Sequence, residues 1–324
     1  MTAVTLAGDD LEALAAELLV AAGAPPEPAR WVAELLVRAE AAGHGSHGLR
    51  LLPKYARRCR AGEIRADAEP VIERDEGATL ALDGRLAFGQ VAARSAVDLA
   101  VERARRHGVA VVTLRRSGHT GRLADYVERA AAAGAIAIMA ANDSGASQVV
   151  APHGSLEPRL ATNPIAVGIP RARPPHLVLD IATSVASSGE IELRKALGNP
   201  IPASWAVGET LLPAAGHKGY GLALVVDVLA GVLSGAGFSV PEPGPDHQGV
   251  WVLALDVEHY LPLERFAADV ERLLAYVRSA GPDVRVPGEG AAQRSDGLLV
   301  PAPVWAEIES LCNALGVAVP VTTT

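Results

Sequence analysis

Cysteine, aromatic residues and basic runs are scarce in this chain of 324 residues. The two cysteines, Cys59 and Cys312, are too few for a disulfide framework or a thiolate zinc site, which favours a reducing compartment. A net charge of -8, without any run of lysine and arginine, argues against a nucleic-acid partner. No segment approaches the ~20 uninterrupted apolar residues of a membrane span, and residues 1–10 carry acids instead of the basic stretch of a secretory signal. We therefore expect a cytoplasmic protein with no membrane or nucleic-acid partner.

The chain does have enough apolar sequence for a sizeable core. Hydrophobic residues make up 49% of it and charged residues 20%, an ordinary balance for a folded protein. At roughly 100 to 200 residues per domain, the length predicts two domains, or one domain with a lobe built from both termini. We expect a small molecule as the partner.

Both ends of the chain have helical periodicity. Apolar residues recur at three- and four-residue steps over residues 9–42, with a break at Pro25-Pro26, which predicts a helical pair. Further helices are predicted over 49–60, 263–279 and 302–315. We expect residues 1–70 and 263–324 to form one helical lobe.

The middle of the chain alternates short apolar runs with helical patterns. Strands are predicted over 79–84, 109–114, 135–141, 177–180 and 250–257, and helices over 90–107, 123–133 and 220–233. Such alternation is typical of an α/β fold. We expect residues 71–262 to form an α/β body that holds the ligand.

A glycine-rich loop, Gly43-His44-Gly45-Ser46-His47-Gly48, formally matches the GxGxxG dinucleotide fingerprint. That fingerprint works where a strand runs into a helix N-terminus, but the segment before this loop is predicted to be helical, so no Rossmann site is expected here. The two histidines and the serine, followed by Arg50 and Tyr55, suit the binding of a carboxylate and the movement of a proton. The alternative is a solvated turn whose histidines have no role.

A second histidine site, Gly118-His119-Thr120-Gly121, follows the predicted strand over 109–114. A sheet holds the residues at its strand ends rigidly while the loops leave them accessible. His119 therefore has room to meet a ligand. The alternative is that this histidine caps the next helix.

Two more polar segments are candidates for ligand contacts. Thr162 and Asn163 offer polar groups to a ligand, although Asn163-Pro164 is also an ordinary turn signal. Asp180 follows a predicted strand and suits either a ribose hydroxyl or a helix cap.

The glycine-rich turn at 216–221 opens a predicted apolar helix and contains Lys218. A lysine at a helix N-terminus suits phosphate, because free N–H groups and the helix dipole both favour an anion. The GxxxxGK[ST] spacing of a P-loop is missing. Together these sites predict a pocket for an anionic, phosphate-bearing ligand.

Taken in order, these motifs resemble those of the malate/L-lactate dehydrogenase family of the second, non-Rossmann type, which includes malate, lactate, sulfolactate and ureidoglycolate dehydrogenases and a cyclic-imine carboxylate reductase. The resemblance runs over nearly the whole chain. The matching segments are Ser46-His47-Gly48, Gly118–Gly121, Val150-Ala151-Pro152, Thr162–Ile165, Asp180–Ser184, His217–Leu222 and Val286–Glu289.

The resemblance implies a non-Rossmann α/β fold and hydride transfer between NAD or NADP and a small 2-hydroxy or 2-oxo acid, with no metal ion. It implies that His119 donates and accepts the proton, with His47 as a second catalytic candidate. It also implies a homodimer, which the apolar faces of the terminal helices favour. The implied substrate contacts are Ser46, Arg50, Tyr55, Thr162 and Asn163. The implied cofactor contacts are Asp180, Ile181, Ala182, His217, Lys218, Gly219, Pro287, Gly288 and Glu289.

Two positions depart from the family pattern. Relatives commonly place an arginine four residues after the loop histidine, whereas Leu51 holds that position here and Arg50 precedes it. Relatives also carry a longer loop with Asp-Gly before Leu-Leu-Pro, whereas Trp205 here reaches Leu211 almost at once. The second departure predicts a trimmed loop on the cofactor side or at the dimer contact.

Three other functions stay open on the sequence. One is a cyclic-imine carboxylate reductase of the same family. Another is a metal-dependent hydrolase using His44, His47, His119 and Asp180, which are donor types for zinc, although no HExxH pair exists. The third is a catalytically inactive NAD(P)-binding protein, which the short loop after Trp205 motivates.

Overall fold

The computed structural model describes residues 3–144, 148–240, 247–289 and 297–320 and has a mixed α/β architecture, as predicted. Its α-helices are α1 (Gly8–Ala21), α2 (Pro26–Ala41), α3 (Leu52–Arg60), α4 (Gly89–His107), α5 (Ala124–Ala132), α6 (Ser188–Ala196), α7 (His217–Val226), α8 (Leu263–Arg278) and α9 (Ala302–Leu315). Its strands are β1 (Val4–Leu6), β2 (Val71–Asp75), β3 (Thr79–Asp83), β4 (Val109–Ser117), β5 (Ala135–Ser144), β6 (Ile165–Ile169), β7 (Leu177–Ile181), β8 (Ala206–Val207), β9 (Thr210–Leu211), β10 (His247–Asp256) and β11 (Leu298–Val300).

Seven strands form the central sheet, in the order β2-β3-β4-β10-β5-β6-β7. Within this sheet β3 and β4 run parallel, and the other neighbouring strands are antiparallel. A Rossmann sheet is mostly parallel, so the expectation of a non-Rossmann α/β fold is confirmed. The strand β10 lies between β4 and β5, with Val252 opposite Val112 on one side and Met139 on the other.

The helix α4 packs on the sheet through small side chains. Ala92, Ala96, Ala100 and Ala104 recur every four residues along one face and are fully buried. The helix ends at Gly108, whose φ of 80° gives the left-handed C-cap that glycine adopts without steric cost. The small residues bring the helix close to β4, the strand that leads to His119.

A separate core joins the two ends of the chain. Buried side chains of α1, α2, α3 and α9 pack together, and β1 pairs with β11 with Val4 opposite Val300. The buried apolar residues of α1 and α9 belong to this core, and the dimer that the sequence suggested stays a prediction. The helix α8 is tied to the segment after β6 by the Arg171–Glu271 ion pair of 2.8 Å. The division of the chain at residues 70 and 263 stays a prediction.

Two predicted helices begin or end differently. The helix predicted over 49–60 starts as a 3₁₀ turn, Leu49–Leu51, and becomes α-helical at Leu52, because Pro53 fits only in a first helical turn. The helix predicted over 220–233 starts earlier, at His217, and continues after Val226 as a π-helical segment. In this segment the buried Asp227 accepts a hydrogen bond from Asn142 at 2.9 Å.

Several short elements have no counterpart in the sequence prediction: β1, β2, β6, β8, β9, β11 and α6. Their patterns are too short to give a period, and β1 depends on a partner at the other end of the chain. Within the described ranges, no helix is both long and apolar enough to cross a membrane.

Candidate active site

His119 lies where β4 ends and directly over the start of α4. A Cβ atom on Gly89 would lie 2.2 Å from the carbonyl oxygen of Gly118 and 2.3 Å from the carbonyl carbon of His119. Only glycine at position 89 allows this approach, because real Cβ atoms do not come so close to backbone. The first turn of α4 thus fixes the backbone of His119.

The His119 ring contacts two side chains of the segment 46–60. Its Nδ1 lies 2.6 Å from the hydroxyl of Tyr55, and its ring stacks on His47 with 5.9 Å between centroids. The alternative interpretation of His119 as a helix cap is wrong: the next helix, α5, has Leu123 as N-cap and no side-chain bond from that residue. The two histidine motifs, far apart in sequence, therefore meet at one place.

Both histidines are uncharged at neutral pH. Burial, reinforced by repulsion from His47, Lys54, Arg58 and Arg50, lowers the pKa of His119 to about 3. Burial also lowers the pKa of His47 to about 4, with repulsion from His44, Arg50 and Arg122 adding to it. An uncharged imidazole is able to accept a proton at neutral pH.

The glycines of the loop at 43–48 are explained by local packing and not by phosphate binding. The loop follows the helix α2, so the expectation that no strand enters it is confirmed. A Cβ atom on Gly48 would lie 2.1 Å from a carboxylate oxygen of Glu40, which accepts a hydrogen bond from Leu49 N at 3.1 Å. The glycines make room for this carboxylate, which clamps the loop that carries Ser46 and His47.

Arg50 points at the same loop and at α6. Its guanidinium donates to the carbonyl oxygen of Ser46 at 3.0 Å and forms a short ion pair with Glu192. The helix α6 sits close to the loop because Gly189 has no side chain there: a Cβ atom would lie 2.8 Å from Ser46 O. Arg50 is thus held at the loop by an exposed acidic partner.

A cavity of about 310 Å³ opens beside these groups. It is bounded by the loop at 44–47, the segment after His119, the turn at 162–164, the residues after β7, and Trp205. The lining residues are His44, Ser46, His47, Gly121, Arg122, Leu123, Thr162, Pro164, Asp180, Ala182, Val185, Ala186, Ser187, Glu190 and Trp205.

Two predicted substrate contacts are buried inside the protein instead of lining this cavity. Tyr55 is 2% exposed and faces His119 and Gln90. Asn163 is 1% exposed, has a positive φ of 38°, and donates from Nδ2 to the carbonyl oxygen of Ala223 at 3.0 Å. Asn163 therefore fixes a turn against α7, whereas its neighbour Thr162 lines the cavity.

A second cavity, of about 340 Å³, adjoins the first and shares His44, Arg122 and Asp180 with it. Pro287 and Gly288 form part of its wall, together with Val178 and Leu179 of β7. The segment 287–288 lies against β7, where Val178 N donates to Pro287 O at 3.3 Å. Two distant segments of the predicted cofactor set, 180–182 and 287–289, are thus brought together.

Asp180 serves as a helix cap, one of its two predicted roles. Its Oδ2 accepts a hydrogen bond from Ala124 N, at the first turn of α5, at 2.8 Å. Burial raises the pKa of Asp180 to about 6, against the opposing effects of this bond and of Arg122. The capped helix belongs to another part of the chain, so sequence order alone did not reveal it.

Other members of the predicted cofactor set lie outside these two cavities. His217 and Lys218 are exposed in the first turn of α7, and the His217 ring contacts His153 at 5.9 Å. Gly219 is buried, where a Cβ atom would collide with Ala214 and Thr183. Glu289 pairs with Arg278 and, at 3.6 Å, with Arg171.

Arg122 is the main charged group that sequence reasoning missed. It lines both cavities and forms a bidentate ion pair with the buried Asp125, at 2.7 and 3.1 Å. Its signal was its position, since it directly follows the Gly118–Gly121 motif. Gln90, which reaches Tyr55, had no signal in the sequence pattern.

The trimmed segment after Trp205 closes as a two-residue hairpin. The strands β8 and β9 pair around Gly208, and Leu212 N donates to Trp205 O at 2.9 Å. The Trp205 ring stacks under the Arg194 guanidinium at 4.7 Å. The short connection therefore leaves a structured wall for the first cavity.

No three His, Cys, Asp or Glu side chains within the described part of the chain are arranged to hold a metal ion. The donor set proposed for a metal-dependent hydrolase is thus not assembled there. The fold does bring a pair of neutral histidines beside a cleft made of two adjoining cavities, and Arg122 lines both cavities. Such a site is suited to an enzyme that moves a proton on an anionic ligand.

Comparison with known proteins identifies the family. Residues 6–309 match the malate/L-lactate dehydrogenase family model. The chain is 36% identical to the L-lactate dehydrogenase of Cupriavidus necator, covering 95% of this chain and 97% of that protein, and 33% identical to a Δ¹-pyrroline-2-carboxylate reductase of Ancylobacter novellus, covering 95% and 97%. The crystal structure of malate dehydrogenase from Entamoeba histolytica has a TM-score of 0.91 at 27% identity, covering 98% of this chain and all of that one.

The chain therefore belongs to the malate/L-lactate dehydrogenase family, and the resemblance inferred from the ordered motifs is confirmed. Membership makes it a nicotinamide-dependent dehydrogenase of the hydroxyacid type. A metal-dependent hydrolase is not favoured.

Proposed function

We propose that the protein transfers a hydride between NAD or NADP and a small 2-hydroxy or 2-oxo acid, with His119 as proton donor and acceptor. The observation that carries this proposal is the position of His119: it stacks on His47, which lines the cavity, and its ring is neutral. Oxidising an alcohol by hydride removal requires a base for the hydroxyl proton, and reduction requires the same group as an acid.

The substrate carboxylate requires a fixed cation, for which we propose Arg50. A guanidinium presents two parallel N–H groups to a carboxylate. Arg50 already forms an ion pair, through one nitrogen, with the carboxylate of Glu192. Glu192 is exposed, so a substrate carboxylate is able to replace it. Ser46 and Thr162 complete the proposed substrate contacts, since both line the cavity.

The two adjoining cavities form a continuous wall that supports an extended ligand such as a dinucleotide, since they share His44, Arg122 and Asp180. We propose that the segments 180–182 and 287–289 hold it, with Lys218 and its neighbours His217 and Gly219 contributing from α7. The cleft offers the Arg122 guanidinium to a diphosphate and the Asp180 carboxylate to a hydroxyl. When bound, the nicotinamide accepts or gives the hydride, and the protein supplies orientation and a pocket.

We propose a homodimer that uses the exposed face of α7 and the π-helical segment after it. Leu224, Val228 and Val232 recur every four residues there and are exposed, Val228 by 55%. A contiguous apolar helix face of this kind is typical of a protein interface. Its continuation from Lys218 would place the interface beside the proposed cofactor site.

Sedimentation at micromolar concentration tests this state. The wild type should sediment as a dimer, and Val228→Asp should shift it to monomer. Val20→Asp, at an exposed position of α1, is the matched control and should leave the dimer intact. A monomeric wild type would overturn the dimer and would indicate that the short hairpin after Trp205 is missing part of the dimer interface.

We also propose a cytoplasmic location, which the two free thiols, Cys59 and Cys312, support. Cell fractionation with an antibody to the protein tests it.

The activity is tested by an oxidation screen of NADH and NADPH across 2-oxo acids and cyclic imino acids. Turnover of a 2-oxo acid is the expected result, and the preferred coenzyme settles NAD against NADP. Turnover of a cyclic imino acid alone would replace the substrate class by that of the imine reductases. Cofactor binding without any turnover would favour the inactive binding protein.

A further inference from the structure

Two polar side chains, Tyr55 and Gln90, form a hydrogen-bonded chain behind His119. Nε2 of Gln90 donates to Oη of Tyr55 at 3.0 Å, and Oη lies 2.6 Å from Nδ1 of His119. Because the hydroxyl accepts from Gln90, it directs its own proton to Nδ1. The neutral ring then carries its proton on Nε2, since a neutral imidazole has one donor and one acceptor nitrogen.

This chain is closed off from solvent. Tyr55 is 2% exposed and Gln90 is 1% exposed. Trp31 donates to the backbone carbonyl oxygen of Gln90 at 3.0 Å and so holds the start of α4. Burial raises the pKa of Tyr55 well above its ordinary value, so the hydroxyl keeps its proton. Tyr55 therefore acts on His119 through the orientation of its hydrogen bond and not by becoming charged.

The amide of Gln90 has a second orientation available to it. Its buried Oε1 has no hydrogen-bond partner, so no contact of that oxygen is lost when the amide turns. Rotating the amide by 180° exchanges Oε1 with Nε2. Oε1 then accepts the Tyr55 proton, and Oη accepts a proton from Nδ1 of His119. In that state Nε2 of the neutral ring carries a lone pair.

We propose that Tyr55 and Gln90 are positioning residues that select which ring nitrogen of His119 carries the proton. The inference deepens the proposed function and rests on it. During oxidation, the substrate hydroxyl proton passes to Nε2 as the hydride leaves the substrate carbon for the nicotinamide and the C–O bond becomes a double bond. Nδ1–H meanwhile donates a hydrogen bond to Tyr55, and the Tyr55 hydroxyl donates one to Gln90, with no proton transfer between them. Reduction reverses the proton transfer at Nε2 and the hydride transfer.

The titratable and charged groups around the ring do not provide this selection. His47 faces His119 from the loop, and Lys54, Arg58 and Arg50 act on it from α3 and the turn before α3. They influence the charge of the whole ring through space. Tyr55 contacts one nitrogen directly, which is what distinguishes two tautomers of equal charge.

The variant Gln90→Glu tests the selection without any substrate. Once ionised, its carboxylate only accepts, so Tyr55 must donate to it and accept from Nδ1–H; carbon-13 NMR of the new carboxyl group identifies the pH at which it is ionised, and the comparison is made above that pH. Nitrogen-15 NMR of histidine-labelled protein reports the protonated nitrogen, and His119→Asn assigns the signal. We expect the ring proton on Nε2 in the wild type and on Nδ1 in Gln90→Glu. In the double variant Tyr55→Phe/Gln90→Glu, we expect the ring proton to stay on Nε2. An unchanged tautomer in Gln90→Glu, or the same change in the double variant, would overturn the proposal while leaving the proposed function standing.

Kinetics give a second measurement. Tyr55→Phe keeps the ring and its edge contact with Phe88 but loses the hydroxyl. We expect kcat to fall by about 10- to 100-fold with KM and the cofactor Kd unchanged, less than the ~10⁴ effect of removing a charged tautomer-setting partner. Trp31→Phe is the matched control, because it removes a bond to the Gln90 backbone and leaves the amide in place. Wild-type kcat in Tyr55→Phe, or an equal loss in Trp31→Phe, would overturn the proposal.

Discussion

The two ends of the cleft have opposite electrostatic characters. At the end that holds His47 and His119, burial keeps the titratable groups uncharged. Towards β7, Arg122 lines both cavities and is paired with Asp125, and Glu289, just outside the second cavity, is paired with Arg278. In the proposed function, the first end gains or loses a proton, whereas the second offers fixed charges to a ligand that bears phosphate.

This contrast suits the proposed function, in which one cleft serves two ligands. A neutral imidazole gains a proton without first losing an ion pair. An arginine that is already paired keeps its position, so a ligand does not need to order it. Changes at the two neutral histidines should therefore alter kcat, whereas changes at the charged groups, Arg50 included, should alter binding.

The largest expected effect is at His119. His119→Ala should lower kcat by ~10² to 10⁴, the usual contribution of a general acid or base, while the cofactor Kd stays nearly unchanged. His119→Asn should be similarly impaired, because it keeps a polar group but cannot titrate. Steady-state kinetics and fluorescence titration with NADH measure both quantities. Wild-type turnover in both variants would leave His119 a turn residue and make His47 the next group to test.

The pH profile should differ between the two directions of reaction. With the pKa of His119 lowered to about 3, the ring is neutral between pH 5 and 8, and its protonated fraction falls about tenfold per pH unit. Reduction needs the protonated ring, so kcat/KM for the 2-oxo acid should fall about tenfold per unit. Oxidation needs the neutral ring and should be level over the same range. A level profile for reduction would mean that the proton comes from another group.

Lys218→Ala should act on cofactor binding, to which we propose that Lys218 contributes from α7. Loss of a charge-assisted contact should weaken cofactor binding by ~1.5 to 3 kcal/mol, with kcat at saturating cofactor little changed. Lys195→Ala is the control, since Lys195 is an exposed lysine paired with Glu209 at 3.0 Å. Calorimetric titration compares the two, and an equal Kd in both variants would remove Lys218 from the site.

The smallest effect is expected at Glu192. Glu192→Gln frees Arg50 from an exposed ion pair, a contact worth ~0.2 to 1 kcal/mol, so KM for the acid should fall by up to about fivefold. Arg50→Ala should raise KM. The control Glu209→Gln removes an exposed carboxylate elsewhere and should leave KM alone. A KM that does not respond to Glu192→Gln would show that Glu192 and the substrate do not compete for Arg50.

Sequence reasoning predicted the long elements and the order of the motifs, because these depend on local periodicity. The helix over 302–315 has the predicted bounds, and His119 lies after the predicted strand. The direction of individual side chains was harder to predict from the sequence. Tyr55 and Asn163, which were predicted to face the substrate, are buried. A motif marks which residues matter, but the partner of Tyr55 is Gln90, 35 residues away, and only the folded chain brings them together.

The place of β10 at the centre of the sheet has a consequence for biosynthesis. While the chain emerges from the ribosome, β4 and β5 are made long before the strand that will separate and join them. Until residues 247–256 emerge, each of these strands has an open edge with unpaired N–H and C=O groups and apolar side chains. The nascent protein therefore passes through a long interval of vulnerability to aggregation, and its yield in cells should depend more on chaperone supply than on the stability of the finished fold.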